Sequence, residues 1–258
     1  MHKRKNPKPT SRKRPPKGPK SAGTYWIFGV HAVSAALMNP DRRIDRLLVT
    51  KQAASSLPDA PQADVVRRET VERKTIDNAL SPDVVHQGVA ASVHPLPALS
   101  VGDLEIGDDA LVVVLDQVQD PRNIGAVLRS AAAFGVTAVV VPDRGSPESG
   151  GTLAKAAAGT LESVPIVRET NLVRALTSLK DAGFWCIGLE GAGQSAISEI
   201  DMSGKTAVVL GGEGRGLRRL TRENCDVLAR IPMASGVESL NLSNAAAIAL
   251  YEARRKPR

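Results

Sequence analysis

Cysteine, histidine and aromatic residues are scarce in this chain. Its 258 residues include only two cysteines and four histidines. Cys186 and Cys225 lie far apart, neither stands in a CxxC pair or other metal-ligand spacing, and the histidines do not cluster. A disulfide framework and a metal centre are therefore not expected, and a reducing cytoplasm is the expected compartment. No apolar run approaches 18 residues, so no membrane span is expected. The first twenty residues lack the apolar stretch of a secretory signal.

Those twenty residues also lack acid, while carrying nine lysines and arginines. The formal net charge is +7, so with nine positive charges in that stretch the remainder carries −2. The basic balance thus belongs to the tail. A segment of proline, lysine and arginine buries too little apolar surface to fold, and residues 1–22 are expected to be a disordered basic tail. It reads either as a non-specific arm for phosphate backbones or as a solubilising extension.

With 42% hydrophobic residues, the rest is long enough for more than one core. A short strand and a helix from about His31 to Met38 open it, and Asn39-Pro40 ends the helix. Strands are expected at 43–50 and 86–96, with mixed signals over 63–80. This outlines a small α/β module over residues 23–96. Residues 97–109 have little periodicity and read as a linker. From Ala110 the chain alternates: strands at 110–116, 137–142, 163–167, 184–189, 206–211 and 227–232, with helices between them and a last helix at about 241–255. Continuous apolar strands such as ALVVVLD fit a parallel sheet covered on both faces, so residues 110–258 are expected to form an α/β domain.

Three clusters in that domain place a polar or glycine-rich turn after an apolar run and before a helical pattern. In DQVQDPRNIGAVLRSAAAFGV (116–136), Asn123 reads as an N-cap, and Ile124, Val127, Leu128 and Ala131 form one buried face. Arg129 lies about 140° from Ile124 at 100° per residue. Gly135 stands where a helix C-terminus should be. In VVLGGEGRGLRRLTRENCD (208–226), four glycines surround Glu213 directly after a strand. One glycine would suffice for a flexible turn, whereas this density suits close approach of backbone to a ligand. In IPMASGVESLNLSNAAAIALYEARR (231–255), Ser239 and Asn241 read equally as ordinary caps or as site residues.

Two motifs mislead. GAGQSA (191–196) matches a dinucleotide fingerprint, but a short polar stretch follows where a helix must open. SGKT (203–206) ends like a phosphate loop, yet residue 199 is glutamate where its first glycine belongs.

Together, DPRNIGAVLRSAAAFG, LGGEGRGL and IPM…VESLNLSNAAAIALYEA resemble, in order, the motifs of the SpoU/TrmH-type RNA ribose 2′-O-methyltransferases of the SPOUT superfamily. The front module, with FGVHAV and HQGVAA, resembles that family's L30e-like substrate-binding domain. The two-domain arrangement is most similar to the bacterial subgroup acting on a guanosine of 23S rRNA. The resemblance implies a C-terminal trefoil knot, a homodimer with the site near the subunit interface, and S-adenosyl-L-methionine as cofactor. It implies a catalytic set of Asn123, Arg129, Glu213, Ser239 and Asn241, and cofactor contacts from Gly211, Ile231 and Leu240. RNA is the implied partner, without membrane or metal. Since the folded part is near neutral and poor in aromatics, RNA contact would rest on arginines and shape rather than on stacking. A tRNA substrate, a non-catalytic ribosome-assembly factor and a nicotinamide-dependent oxidoreductase built on GAGQSA are the competing readings.

Overall fold

The computed structural model describes residues 23–60, 66–81, 84–212, 214 and 216–255. The basic tail and Glu213 lie outside the described residues.

The first half holds β1 (Tyr25–Phe28), α1 (Val30–Met38), β2 (Ile44–Val49), β3 (Arg67–Thr70), α2 (Arg73–Ala79) and β4 (Val89–Val93). The strands form one sheet in the order β1-β4-β2-β3, with β4 antiparallel to both neighbours and β2 parallel to β3. Strand alternation divides the side chains between two faces. Ile27, Leu47, Val49, Val89 and Ala91 join the buried face of α1, while Phe28, Leu48 and Ala90 pack on Ile76 of α2. The closing strand is shorter than its sequence suggests. Residues 86–88 form a turn, with Gln87 and Gly88 at φ 56° and 79°. Buried His86 holds that turn: its Nδ1 accepts from the Gly88 N–H (3.1 Å) and its Nε2 meets Asp77 Oδ1 (2.9 Å).

The second half holds β5 (Leu111–Asp116), α3 (Pro121–Ala133), β6 (Ala138–Pro142), α4 (Gly151–Ala157), β7 (Ile166–Glu169), α5 (Leu172–Asp181), β8 (Trp185–Leu189), β9 (Ser195–Ala196), β10 (Thr206–Gly211), α6 (Arg219–Glu223), β11 (Val227–Arg230) and α7 (Leu242–Arg254). Its sheet runs β7-β6-β5-β10-β8-β11-β9, and every pairing is parallel. β5, β6, β8 and β10 are apolar because both faces are covered.

Several boundaries differ from expectation for local reasons. α3 starts at Pro121, and its N-cap is Asp120, whose Oδ1 accepts from the Arg122 N–H at 2.8 Å. Proline at the first helical position is pre-set for a helix, so capping falls on Asp120 and leaves Asn123 inside the first turn. The helix ends as Gly135 suggests. Its φ is +62°, and the Val136→Ala131 (2.9 Å) and Gly135→Ala132 (3.3 Å) bonds complete a Schellman motif. β7 starts late because Thr160–Glu162 forms a 3-10 turn that holds the Val164 N–H. Residues 97–109 are not a free tether. Val101 is buried, its N–H bonds Glu169 Oε1 at 3.2 Å, and Leu99, Leu104 and Ile106 pack under the sheet.

Candidate active site

The chain leaves β5 toward β6 on one side of the sheet and leaves β10 toward β11 on the other. The strand order therefore reverses between β5 and β10, and their last residues, Asp116 and Gly211, lie side by side. Such a switch point opens a crevice at the carboxyl ends of the strands.

Asp116 is fully buried. Its carboxylate accepts from the Arg218 backbone N–H at 3.0 Å and from Arg218 Nε at 2.7 Å. A buried carboxylate needs such partners. The bonds tie the far end of the glycine segment back to β5. Between these ends the chain is drawn in on itself. A Cβ on Gly211 would lie 2.0 Å from the carbonyl carbon of Gly216, and one on Gly212 would lie 2.3 Å from the Gln117 carbonyl oxygen. Backbone obstructs both places, so no side chain fits without moving the loop. The Gly216 N–H bonds the Gly212 carbonyl at 3.0 Å and closes the turn.

Two helix N-termini meet beside this loop. Asn241 caps α7, its Oδ1 accepting from the Ser243 N–H (2.9 Å) and the Ser243 hydroxyl (2.6 Å). Its Nδ2 donates to Oδ1 of Asn123 on α3 at 3.1 Å, across 118 residues of sequence. Neither amide titrates, so the pair can orient a ligand by hydrogen bonds but cannot exchange a proton with it. The first-turn N–H groups of α3 are already held, Arg122 by the Asp120 carboxylate and Asn123 and Ile124 by the Asp120 carbonyl, so side chains rather than free backbone donors present this end of α3.

The other expected residues lie at the ends of β10 and β11, just before α7 and on α3. Gly211 ends β10, and Ile231 directly follows β11. Ser239 and Leu240 immediately precede Asn241, the first exposed and the second half-buried. Arg129 is exposed on α3, about 120° around the helix from Asn123 at 100° per residue. The described contacts join Asn123 with Asn241 but do not join Arg129 or Ser239 to them.

Reading the sequence missed the Asp116–Arg218 link. The available signal was an acid closing an otherwise apolar strand. The two misleading motifs have structural explanations. GAGQSA leads into β9 and a 3-10 turn, and a Cβ on Gly193 would lie 2.5 Å from the Ala229 carbonyl carbon. SGKT leads into β10. Burial first, and Asp226 second, push the Cys186 and Cys225 thiols up to about 12, so neither is a thiolate nucleophile at neutral pH. No helix among the described residues is long and apolar enough to cross a membrane.

Comparison with known proteins agrees with this geometry. Residues 110–251 match the SpoU rRNA Methylase family, and residues 26–99 match the RNA 2′-O ribose methyltransferase substrate-binding family. The chain is 43% identical over 241 residues to the 23S rRNA (guanosine-2′-O-)-methyltransferase RlmB of Xylella fastidiosa, covering 90% of this chain and 96% of that protein. It is 40% identical over 246 residues to the protein of the same name from Xanthomonas campestris, covering 92% and 98%. Among solved structures, the SpoU methyltransferase AviRb of Streptomyces viridochromogenes, in complex with AdoMet, superposes with a TM-score of 0.77 at 26% identity, covering 90% of this chain and 89% of that one. On these matches, the chain belongs to the SpoU rRNA methylase family.

Proposed function

We propose that this protein transfers a methyl group from S-adenosyl-L-methionine to the ribose 2′-hydroxyl of a guanosine in 23S rRNA. The observation that carries the reading is the Asn123–Asn241 contact beside an obstructed glycine loop at the switch point of a parallel sheet. The residues present fit the cofactor. Gly211 and Gly212 form a turn that excludes side chains, so backbone groups of Gly211, Ile231 and Leu240 would hold it. When bound, it supplies a methyl already activated on a cationic sulfur, leaving alignment as the protein's main task.

In this reading Asn123, Ser239 and Asn241 shape the site by hydrogen bonds, and Glu213 holds the loop or an arginine. Arg129 orients the ribose or its phosphate. A guanidinium stays charged, which makes it an anchor and an electrostatic stabiliser rather than a ready base. Its angular separation from Asn123 favours a site completed by a second subunit. We accordingly propose a homodimer, for which exposed Ile248 and Tyr251 on α7 supply an apolar surface. We propose too that residues 23–96 form an L30e-like RNA-binding domain, that 97–109 connect it to a catalytic domain at 110–258, and that the latter closes in a trefoil knot. The knot is supported by the packing of α7 on α3 and on β10, the strand that leads into the glycine turn. A cytoplasmic location follows from the substrate.

The test is deletion of the gene followed by mapping of 2′-O-methyl groups on rRNA and tRNA. Loss of one 23S guanosine methyl supports the proposal. Loss of a tRNA methyl would redirect the substrate, and an unchanged map would favour a non-catalytic role.

A further inference from the structure

A second polar cluster lies away from the cofactor site, where the two halves meet. Arg42, between α1 and β2, is 1% exposed. Its guanidinium grips Glu162 in bidentate fashion, Nε to Oε2 at 2.9 Å and Nη2 to Oε1 at 2.7 Å. Nη1 donates to the His94 carbonyl at 2.7 Å and to the Tyr25 hydroxyl at 3.2 Å. Glu162 Oε2 also accepts from Asn39 Nδ2 at 2.8 Å. Arg42, Tyr25, Asn39 and His94 belong to the small-sheet half, and Glu162 to the 3-10 turn after α4. A buried pair of this kind is a poor source of net stability, because desolvation offsets its attraction. Its bonds are directional, so they define how two surfaces sit on each other.

The surrounding seam is close-fitting. A Cβ on Gly151 of α4 would lie 2.4 Å from Phe28 Cε1 and 2.7 Å from the Trp26 carbonyl oxygen. A Cβ on Gly159 would lie 2.9 Å from Ala35 Cβ. Lys155 Nζ donates to Gln87 Oε1 at 2.6 Å. α4 in turn sits directly on α3, since a Cβ on Gly125 would lie 2.5 Å from Ala156 Cβ and 2.8 Å from the Ala157 nitrogen. α3 carries Asn123. Close contacts therefore run from the small sheet, through Arg42–Glu162 and α4, to α3 and its Asn123–Asn241 pair.

We infer that Arg42 and Glu162 are positioning residues, locking the small-sheet half at one orientation so that RNA held there presents its target ribose to the methyl-transfer site. The inference rests on the RNA methyltransferase reading. Two anchoring surfaces at fixed separation bind one RNA with a high effective concentration for the second contact, and loosening them loses that advantage.

The test uses the full chain with spin labels on cysteines introduced by Lys51→Cys and Leu220→Cys, one exposed site in each half. Wild-type pairing should give one narrow distance distribution, and Glu162→Gln should broaden it. The double variant Arg42→Met/Glu162→Leu fills the seam with apolar groups but removes the directional bonds, so it decides the matter if Glu162→Gln does not fold. In parallel, KM for a large rRNA fragment should rise roughly tenfold, with kcat at saturating RNA and affinity for S-adenosyl-L-methionine little changed. A broad distribution in the wild type, an unaltered one in both variants, or a fall in kcat with KM unchanged would overturn the inference. Absence of wild-type methylation would refute the functional reading while leaving the distance result to stand.

Discussion

Two single residues separate alignment from architecture. Arg129 is exposed on α3 and takes no part in the described packing. If it anchors the ribose or its phosphate, Arg129→Ala should abolish methyl transfer while S-adenosyl-L-methionine affinity stays within a few fold, as single-turnover assays and calorimetry would show. Equal loss of both would refute the anchoring role. Asp116 is the opposite case. Its buried carboxylate accepts two bonds from Arg218, and an asparagine would turn one acceptor into a donor facing other donors. Asp116→Asn should cost about 1–3 kcal/mol, seen as a lower urea midpoint. Arg218→Ala should also destabilise, because it leaves the buried carboxylate with one backbone N–H bond and no cation. An unchanged midpoint in Asp116→Asn would mean that the loop is not held through that carboxylate.

Elements were more legible than their ends or partners. The alternation of apolar strand and amphipathic helix after Ala110 could be read because a parallel sheet leaves each strand apolar throughout and each helix with one buried stripe. Asn123 was misread as a cap because Asp120-Pro121 competes for that role and proline decides it. Glycine density pointed to the loop, but the Asn123–Asn241 and Arg42–Glu162 pairings depend on which strands become neighbours, and local pattern carries no record of that. The loop itself yields a graded prediction. Gly211→Ala pushes a methyl into the Gly216 backbone, while Gly214 has φ +80° but open space around it. Overpacking costs about 1–3 kcal/mol and moves backbone; a strained φ costs roughly 1–2 kcal/mol locally. Gly211→Ala should thus weaken cofactor binding much more than Gly214→Ala, measured by titration on folded protein. Comparable losses would show that loop flexibility, rather than close approach, is what the glycines provide.

At the scale of the whole molecule, charge and shape are carried by different parts of the chain. The first twenty residues hold nine positive charges and the remaining chain a net −2. Broad attraction to a phosphate backbone must therefore come mostly from the tail, while register on the RNA comes from the locked halves. Counterion release makes the first contribution steeply dependent on salt and the second much less so. Removing residues 1–22 should flatten the dependence of log affinity for rRNA on log salt and weaken binding most at low salt. The value of kcat at saturating RNA should stay unchanged, because no residue of the proposed site lies in the tail. The measurement is filter binding of the full and shortened chains between about 50 and 200 mM salt, the range over which such contacts are lost. Parallel slopes for the two chains would show that the arginines of the folded part carry the electrostatic attraction, despite their near balance with acids.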